Sequence, residues 1–175
     1  MELVPLTPDD STLRRYVTEL WLPYNRELSE VVSSFDLTDE HTREELIDAE
    51  IAFRRDWLDE ADRRAWLAVD GEVTDPGTDG EVTGFVTCEG DPAPSVFDRP
   101  DRVTIGDIYV RPPFRGIGLA DRLVDRVAEH ARDEDYEELR LEVHEANDRA
   151  KSFYRSLGFE THRRVMTVPT DRIWE

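Results

Sequence analysis

Residues 111–120 read RPPFRGIGLA, which places two prolines, two arginines and two glycines just ahead of an apolar run. Pro112 and Pro113 cannot donate to a β-ladder, so they end the strand that precedes them. Gly116 and Gly118 allow backbone conformations and close approaches that a side chain would block. The helix that follows starts with amide groups that have no partner within the helix. Aimed N–H groups and the helix dipole favour phosphate oxygens there, and Arg115 adds a cation. The chemistry on offer is the binding of a diphosphate. No Gly-Lys-Ser/Thr follows, so the stretch is not a P-loop. Asp121 stands where G-x-G-x-x-G needs its last glycine, and no βαβ units recur, which disfavours a Rossmann-like nucleotide binder.

The elements around this stretch follow from periodicity. RVTIGDIYV (102–110) is the strand that feeds it. Leu119, Ala120, Leu123, Val124, Val127, Ala128 and Ala131 recur at helical spacing behind it. Upstream, ELVPLT reads as a short strand. Asp9 or Asp10 caps a helix carrying Leu13, Tyr16, Val17, Leu20 and Trp21. Pro23 is expected to interrupt that helix before NRELSEVVSSF resumes it. A further helix spans about Thr42 to Leu58, with Leu46, Ile47, Ile51, Trp57 and Leu58 on its apolar face. Glu50 and Arg54 interrupt that face. AWLAVD and EVTGFVTCE read as strands joined by GEVTDPGTDG, a hairpin loop, and GDPAPSVFDRPD as a surface loop. LRLEVH alternates as a strand. NDRAKSFYRSLGF is a short helix ending at Gly158, and ETHRRVMTV reads as a last strand with Arg163 and Arg164 on a solvated edge. Strands interleaved with helices predict an α/β fold with a mixed sheet.

The 175 residues suit one domain, 1–175, with a substantial core. The formal net charge is −19, from 41 acidic and 22 basic residues, and Lys151 is the only lysine. That charge argues against nucleic acid and anionic membranes as partners. The carboxylates are spread along the whole chain, so the charge speaks of solubility in a salty medium before it speaks of a cationic substrate. Cys88 is the sole cysteine, which excludes a disulfide framework or a cysteine zinc site within the chain, and its apolar neighbours suggest a core thiol. His41, His130, His144 and His162 show no metal-ligand spacing, so no metal is expected. MELVPLTPDD lacks the basic-then-apolar pattern of a secretory signal, and no run approaches the ~18 apolar residues of a membrane span. A cytoplasmic protein is expected.

Arg115-x-x-Gly118-x-Ala120, followed by Asn147-x-x-Ala150-x-x-Phe153-Tyr154-x-x-Leu157-Gly158-Phe159, resembles the two signatures of the GNAT superfamily of acyl-CoA-dependent N-acetyltransferases. DIYVRPPFRG is similar to that family's strand leading into its pyrophosphate loop. The resemblance covers about 102–159. The scarcity of lysine beside abundant acid also resembles proteins of salt-in halophilic archaea.

The family resemblance implies a mostly antiparallel central sheet flanked by helices, with a β-bulge at the acyl-CoA site. It implies acetyl-CoA as acyl donor and a primary amine as acceptor, on a small molecule or a protein. It implies that Ile108, Tyr109 and Val110 line the pantetheine arm, with main-chain bonds from Ile108 and Val110. The amides of Arg115, Gly116, Ile117, Gly118, Leu119 and Ala120 would hold the diphosphate. Asn147 would contact the pantetheine or acyl end; it is also well suited to cap a helix. Tyr154 would protonate the leaving thiolate, since a phenol (pKa ~10) can serve a thiol (pKa ~8.5) beside it. As a bare sequence position, it reads as a core aromatic. Asp107 would take the proton of the ammonium, or would anchor the amine or serve the structure. In strict alternation it shares a face with Val103, Ile105 and Tyr109, and a carboxylate there calls for a bulge that turns it into a cleft. Glu142, His144 or a water chain are alternative bases. An oxyanion donor is expected from the Ile108 N–H. A homodimer is common among proteins this chain resembles. A different class of function, an acyl-CoA-binding sensor without turnover, would keep the loop and could lose the acid and base.

Overall fold

The computed structural model describes residues 1–71 and 80–173. Residues 72–79 of the expected hairpin loop lie outside the described residues. The contacts divide the chain into two compact units, Met1–Glu142 and Val143–Glu175.

The first unit holds a five-stranded sheet, ordered β1 (Glu2–Pro5), β2 (Arg63–Asp70), β3 (Glu81–Asp91), β4 (Arg102–Val110) and β5 (Glu138–Leu141). The first four strands pair antiparallel and β4 pairs β5 in parallel, so the sheet is mixed and mostly antiparallel. Helices α1 (Asp10–Tyr16), α2 (Leu22–Ser29) and α3 (Arg43–Asp59) pack on one face. Helix α4 (Leu119–Asp133) crosses from β4 to β5 and covers the other.

The local reasons are readable. Asp9 caps α1 by accepting from the Thr12 N–H at 2.9 Å. Thr42 and Glu45 close a capping box at the start of α3: the Thr42 N–H donates to Glu45 Oε2 at 2.7 Å and the Glu45 N–H to Thr42 Oγ1 at 3.3 Å. Pro23 does not interrupt the first helix as expected. A π-helical turn, Val17–Trp21, joins α1 to α2, and the Leu22 N–H reaches back to the Val17 carbonyl. That wider turn sits directly before the residue that has no N–H to give, so the helix runs through.

The core on the helical face gathers Leu13, Tyr16, Val17, Leu20, Ile47, Leu67 and Phe85, none more than 1% exposed. Phe85 is its hub. Its ring meets Tyr16 edge-on at 5.0 Å and Tyr24 at 5.8 Å, and lies 6.4 Å from Tyr109. On the opposite face Val86, Cys88, Val103 and Ile105 are buried, as are Leu119, Leu123, Val124 and Val127 of α4. Gly84 lets β3 and β4 lie together here, because a Cβ would sit 2.6 Å from the Tyr109 carbonyl. Cys88 is a core thiol, pushed up to about 12 by burial.

The second unit holds α5 (Asp148–Ser156), whose following turn uses Gly158 at φ 91°. ETHRRVMTV is not a strand. A strand exists by pairing, and no strand lies among the described residues of this unit to pair with it. Val165, Met166 and Val168 stand exposed there, beside Arg163 and Arg164.

Truncating the hub should be costly. Phe85→Ala is expected to lose about 3–5 kcal/mol of stability, read as a lower urea midpoint at fixed salt; a loss below 1 kcal/mol would show that the surrounding rings do not depend on it.

Candidate functional site

In β4 the register against β3 slips: Cys88 faces Ile105, and Val86 faces Ile108. Two residues, Gly106 and Asp107, therefore stand against Thr87 alone, which is a β-bulge. The Asp107 N–H donates to Thr87 Oγ1 at 2.8 Å. The extra residue inverts the alternation beyond it. Val103 and Ile105 face α4, whereas Tyr109, opposite Phe85, faces the three N-terminal helices. Uninterrupted alternation would have kept Asp107 with Val103 and Ile105. The bulge carries it to the face of Tyr109 instead.

There Asp107 meets side chains from two helices. Tyr24 of α2 donates to its Oδ1 at 3.1 Å, and Arg54 of α3 lies 3.8 Å from its Oδ2. Arg54 Nε and Nη2 both donate to Glu50 Oε1, at 3.1 and 2.9 Å. Arg54 and Glu50 are 4% and 8% exposed, and the Asp107 side chain 35%. The guanidinium lies among rings, 5.4 Å from Tyr16 and 5.0 Å from Trp57. Burial pushes the Asp107 carboxyl above the usual carboxylate range, against the opposing pull of Arg54 and Tyr24. Burial raises Glu50 as well. A partly open carboxylate with a raised pKa is a better proton acceptor than an ordinary one.

Beyond the bulge β4 has one open edge. Its parallel ladder with β5 runs only from Arg102 to Ile105, and no described strand pairs that edge at Ile108, Tyr109 or Val110. An extended ligand could add to it as a strand does. The chain then turns through Pro112–Phe114 and Arg115 into α4. Gly116 and Gly118 hold φ of 77° and 80°, with nothing within 4 Å of where a Cβ would point. The glycines are thus needed for their left-handed backbone, and the space before them is open. The first bond inside α4 runs from the Arg122 N–H to the Gly118 carbonyl at 3.2 Å. Leu119 and Ala120 form the first turn, whose amides have no partner within the helix. These residues fit an anionic diphosphate, with Ile117 exposed between the glycines.

Arg115 is engaged elsewhere. Its Nη2 donates to Glu27 Oε2 at 2.5 Å and its Nε to the Val110 carbonyl at 2.7 Å, while its own N–H donates to the Pro112 carbonyl at 3.3 Å. Tyr109 donates to the other Glu27 oxygen at 2.6 Å. The Tyr109 phenol is raised by burial and then by Glu27.

The second unit carries Asn147, Tyr154 and His144, and the first unit ends at Glu142. Asn147 caps α5, its Oδ1 accepting from the Ala150 N–H at 3.1 Å. Tyr154 is buried, its ring 5.3 Å from Phe153 and 5.6 Å from Phe159. Of the alternative bases, Glu142 pairs with Arg140, and His144 Nδ1 accepts from the Ala146 N–H at 3.1 Å. Among the described residues no group of three or more His, Cys, Asp or Glu side chains could hold a metal. No described helix is long and apolar enough to cross a membrane.

Sequence reasoning did not find Tyr24, Glu27, Glu50 or Arg54 as site residues. Glu50 and Arg54 had a signal, as charged residues interrupting the apolar face of α3. Tyr24 and Glu27 had none, since each is an ordinary residue of an amphipathic helix.

The profile of the acetyltransferase (GNAT) family matches residues 25–159. An uncharacterized N-acetyltransferase of Archaeoglobus fulgidus is 36% identical over 78 residues, covering 45% of this chain and 52% of the relative. A thialysine N-ε-acetyltransferase of Bos taurus is 41% identical over 56 residues, covering 32% of this chain and 33% of the relative. The chain thus spans about half and a third of these relatives' lengths. Among solved structures, a Bacillus halodurans protein superposes with a TM-score of 0.75 at 18% identity, covering 97% of this chain and 99% of the other. An aminoglycoside N-acetyltransferase in complex with CoA superposes with a TM-score of 0.64 at 18% identity, covering 97% and 95%.

The bulge can be tested directly. A Cβ at Gly106 would sit 2.7 Å from Thr87 Oγ1, the atom that holds the Asp107 N–H. Gly106→Ala should cost about 1–3 kcal/mol, and its loss should combine sub-additively with that of Thr87→Ala in urea unfolding. Full additivity would mean that the two residues do not act on each other.

Proposed function

This chain belongs to the acetyltransferase (GNAT) family, and from that premise we propose that it moves an acetyl group from acetyl-CoA to a primary amine by direct attack. One observation carries the reading: the bulge that turns Asp107 into the helical face leaves the β4 edge at Ile108–Val110 open just before the glycine turn of α4. The main chain of Ile108 and Val110 would pair with the pantetheine arm, with Tyr109 beside them. The amides of Gly116, Ile117, Gly118, Leu119 and Ala120 would hold the diphosphate, and Arg115, clasped by Glu27, would fix the start of that turn. Asn147 would contact the acyl end of the donor, in addition to capping α5.

In the reaction the ammonium of the acceptor gives a proton to Asp107. The freed amine nitrogen attacks the thioester carbonyl, and the Ile108 N–H stabilises the oxyanion that forms. The carbon–sulfur bond breaks as the amide forms, and the attacking nitrogen releases its second proton to solvent, from which Tyr154 is afterwards reprotonated. Tyr154 gives its proton to the departing thiolate. The acceptors named for relatives and fold neighbours, thialysine and aminoglycosides, are polyfunctional cationic amines. The Asp107 carboxylate suits such a cation.

The decisive experiment is thiol release from acetyl-CoA, in molar salt, with thialysine, an aminoglycoside and a peptide α-amine. Cys88, buried, contributes no background. Release with one of these amines is expected; none with any amine, despite CoA binding, would favour the sensor. Tyr154→Phe should lower kcat about 100-fold and leave CoA affinity unchanged. Asp107→Asn should lower kcat/KM by about the same factor; full turnover in either variant would remove that residue's role. Because burial raises the Asp107 carboxyl, its basic form is lost as pH falls through that raised value. The acidic limb of kcat/KM should therefore lie above the ordinary carboxylate range and be absent from Asp107→Asn.

A further inference from the structure

Three charged side chains meet on the helical side of the bulge: Glu50, Arg54 and Asp107. Glu50 and Arg54 are one turn apart on α3 and both buried. Burying an ion pair costs several kcal/mol per ion in desolvation, and an apolar pair of similar size would often serve stability better. Here the pair stands against the one carboxylate that the bulge delivers. The geometry is unequal. Arg54 gives two hydrogen bonds to a single Glu50 oxygen, at 3.1 and 2.9 Å, but reaches only to 3.8 Å from Asp107. The rings of Tyr16, Trp57 and Phe53 flank the guanidinium at 5.0–5.6 Å and limit its sideways movement.

Without Glu50, Arg54 would have Asp107 as its one counter-ion. A carboxylate in that position is held ionised and makes a poor base. With Glu50 the group of three carries one net negative charge, which also favours an arriving ammonium. The other groups facing Asp107 are weakly charged or neutral. They are the Tyr24 hydroxyl from α2, the Tyr16 ring from α1 and Thr87 from β3. The Tyr16 hydroxyl is buried without a hydrogen-bond partner among the described residues. Tyr109, next on β4, turns its hydroxyl to Glu27.

We propose that Glu50 is a positioning residue for Asp107: by occupying Arg54 it leaves Asp107 able to take a proton from the acceptor. The inference rests on the reading of Asp107 as the base.

The test reads Asp107 itself, without an acceptor. Protein labelled with 13C at aspartate carboxyls is titrated by NMR in molar potassium chloride, and the Asp107 signal is the one missing from Asp107→Asn. Glu50→Gln should lower its midpoint by about one pH unit, and Glu50→Asp should restore it. An unmoved or raised midpoint in Glu50→Gln overturns the inference. Should Glu50→Gln fail to fold by circular dichroism, Arg54→Gln is compared with Glu50→Gln/Arg54→Gln. With Arg54 gone, losing Glu50 as well should leave the midpoint unmoved, and a lowering by about one pH unit, which would mean that Glu50 acts without Arg54, overturns the inference. Failure of the acetyltransferase reading would appear elsewhere, as full turnover in Asp107→Asn or as no thiol release from acetyl-CoA with any amine.

Discussion

One extra residue in β4 decides what the rest of this site can do. A strand has a side-chain period of two, so inserting a residue against Thr87 reverses every side chain beyond it. Asp107 and Tyr109 thereby leave the face that α4 covers and join the face of Phe85. The same irregularity coincides with the end of pairing to β5, after Ile105. The local requirement is small. Gly106 has no Cβ to strike Thr87, and Thr87 has a hydroxyl oxygen to take the N–H that the bulge displaces. From these two residues follows a carboxylate turned to the helical face, beside a length of open strand edge.

Much of this was legible from the residues. The phases of α3, α4 and the five strands are set by apolar spacing, and the capping residues Asp9, Thr42 and Asn147 mark helix starts by their own chemistry. Asp107 stood out because a carboxylate in an alternating apolar strand has to be accommodated, and the bulge accommodates it. Other features depend on neighbours that sequence order does not show. Pro23 should break a helix, but a π-turn takes up the missing donor. ETHRRVMTV alternates like a strand, and alternation cannot supply a partner. Tyr24 and Glu27 look like any polar-tipped residues of an amphipathic helix until β4 is laid against them.

The two clusters on the helical face share a design. In each, a helical glutamate holds an arginine that would otherwise act on β4 or its loop: Glu50 holds Arg54, and Glu27 holds Arg115. A chain with net charge −19 can place such carboxylates readily. What matters is that each sits within hydrogen-bond distance of one guanidinium, where bulk salt screens least.

Glu27 has a further consequence for the loop it steadies. With Arg115 committed to a neighbour, the cradle before α4 relies on peptide dipoles. Side-chain cations recruit an anion over a range that shrinks to about 3 Å at molar ionic strength. Peptide N–H groups act at contact, inside that range. On the proposed function, a cradle built this way gives up long-distance attraction and holds its anion by contact, so its affinity follows backbone shape more than ionic strength.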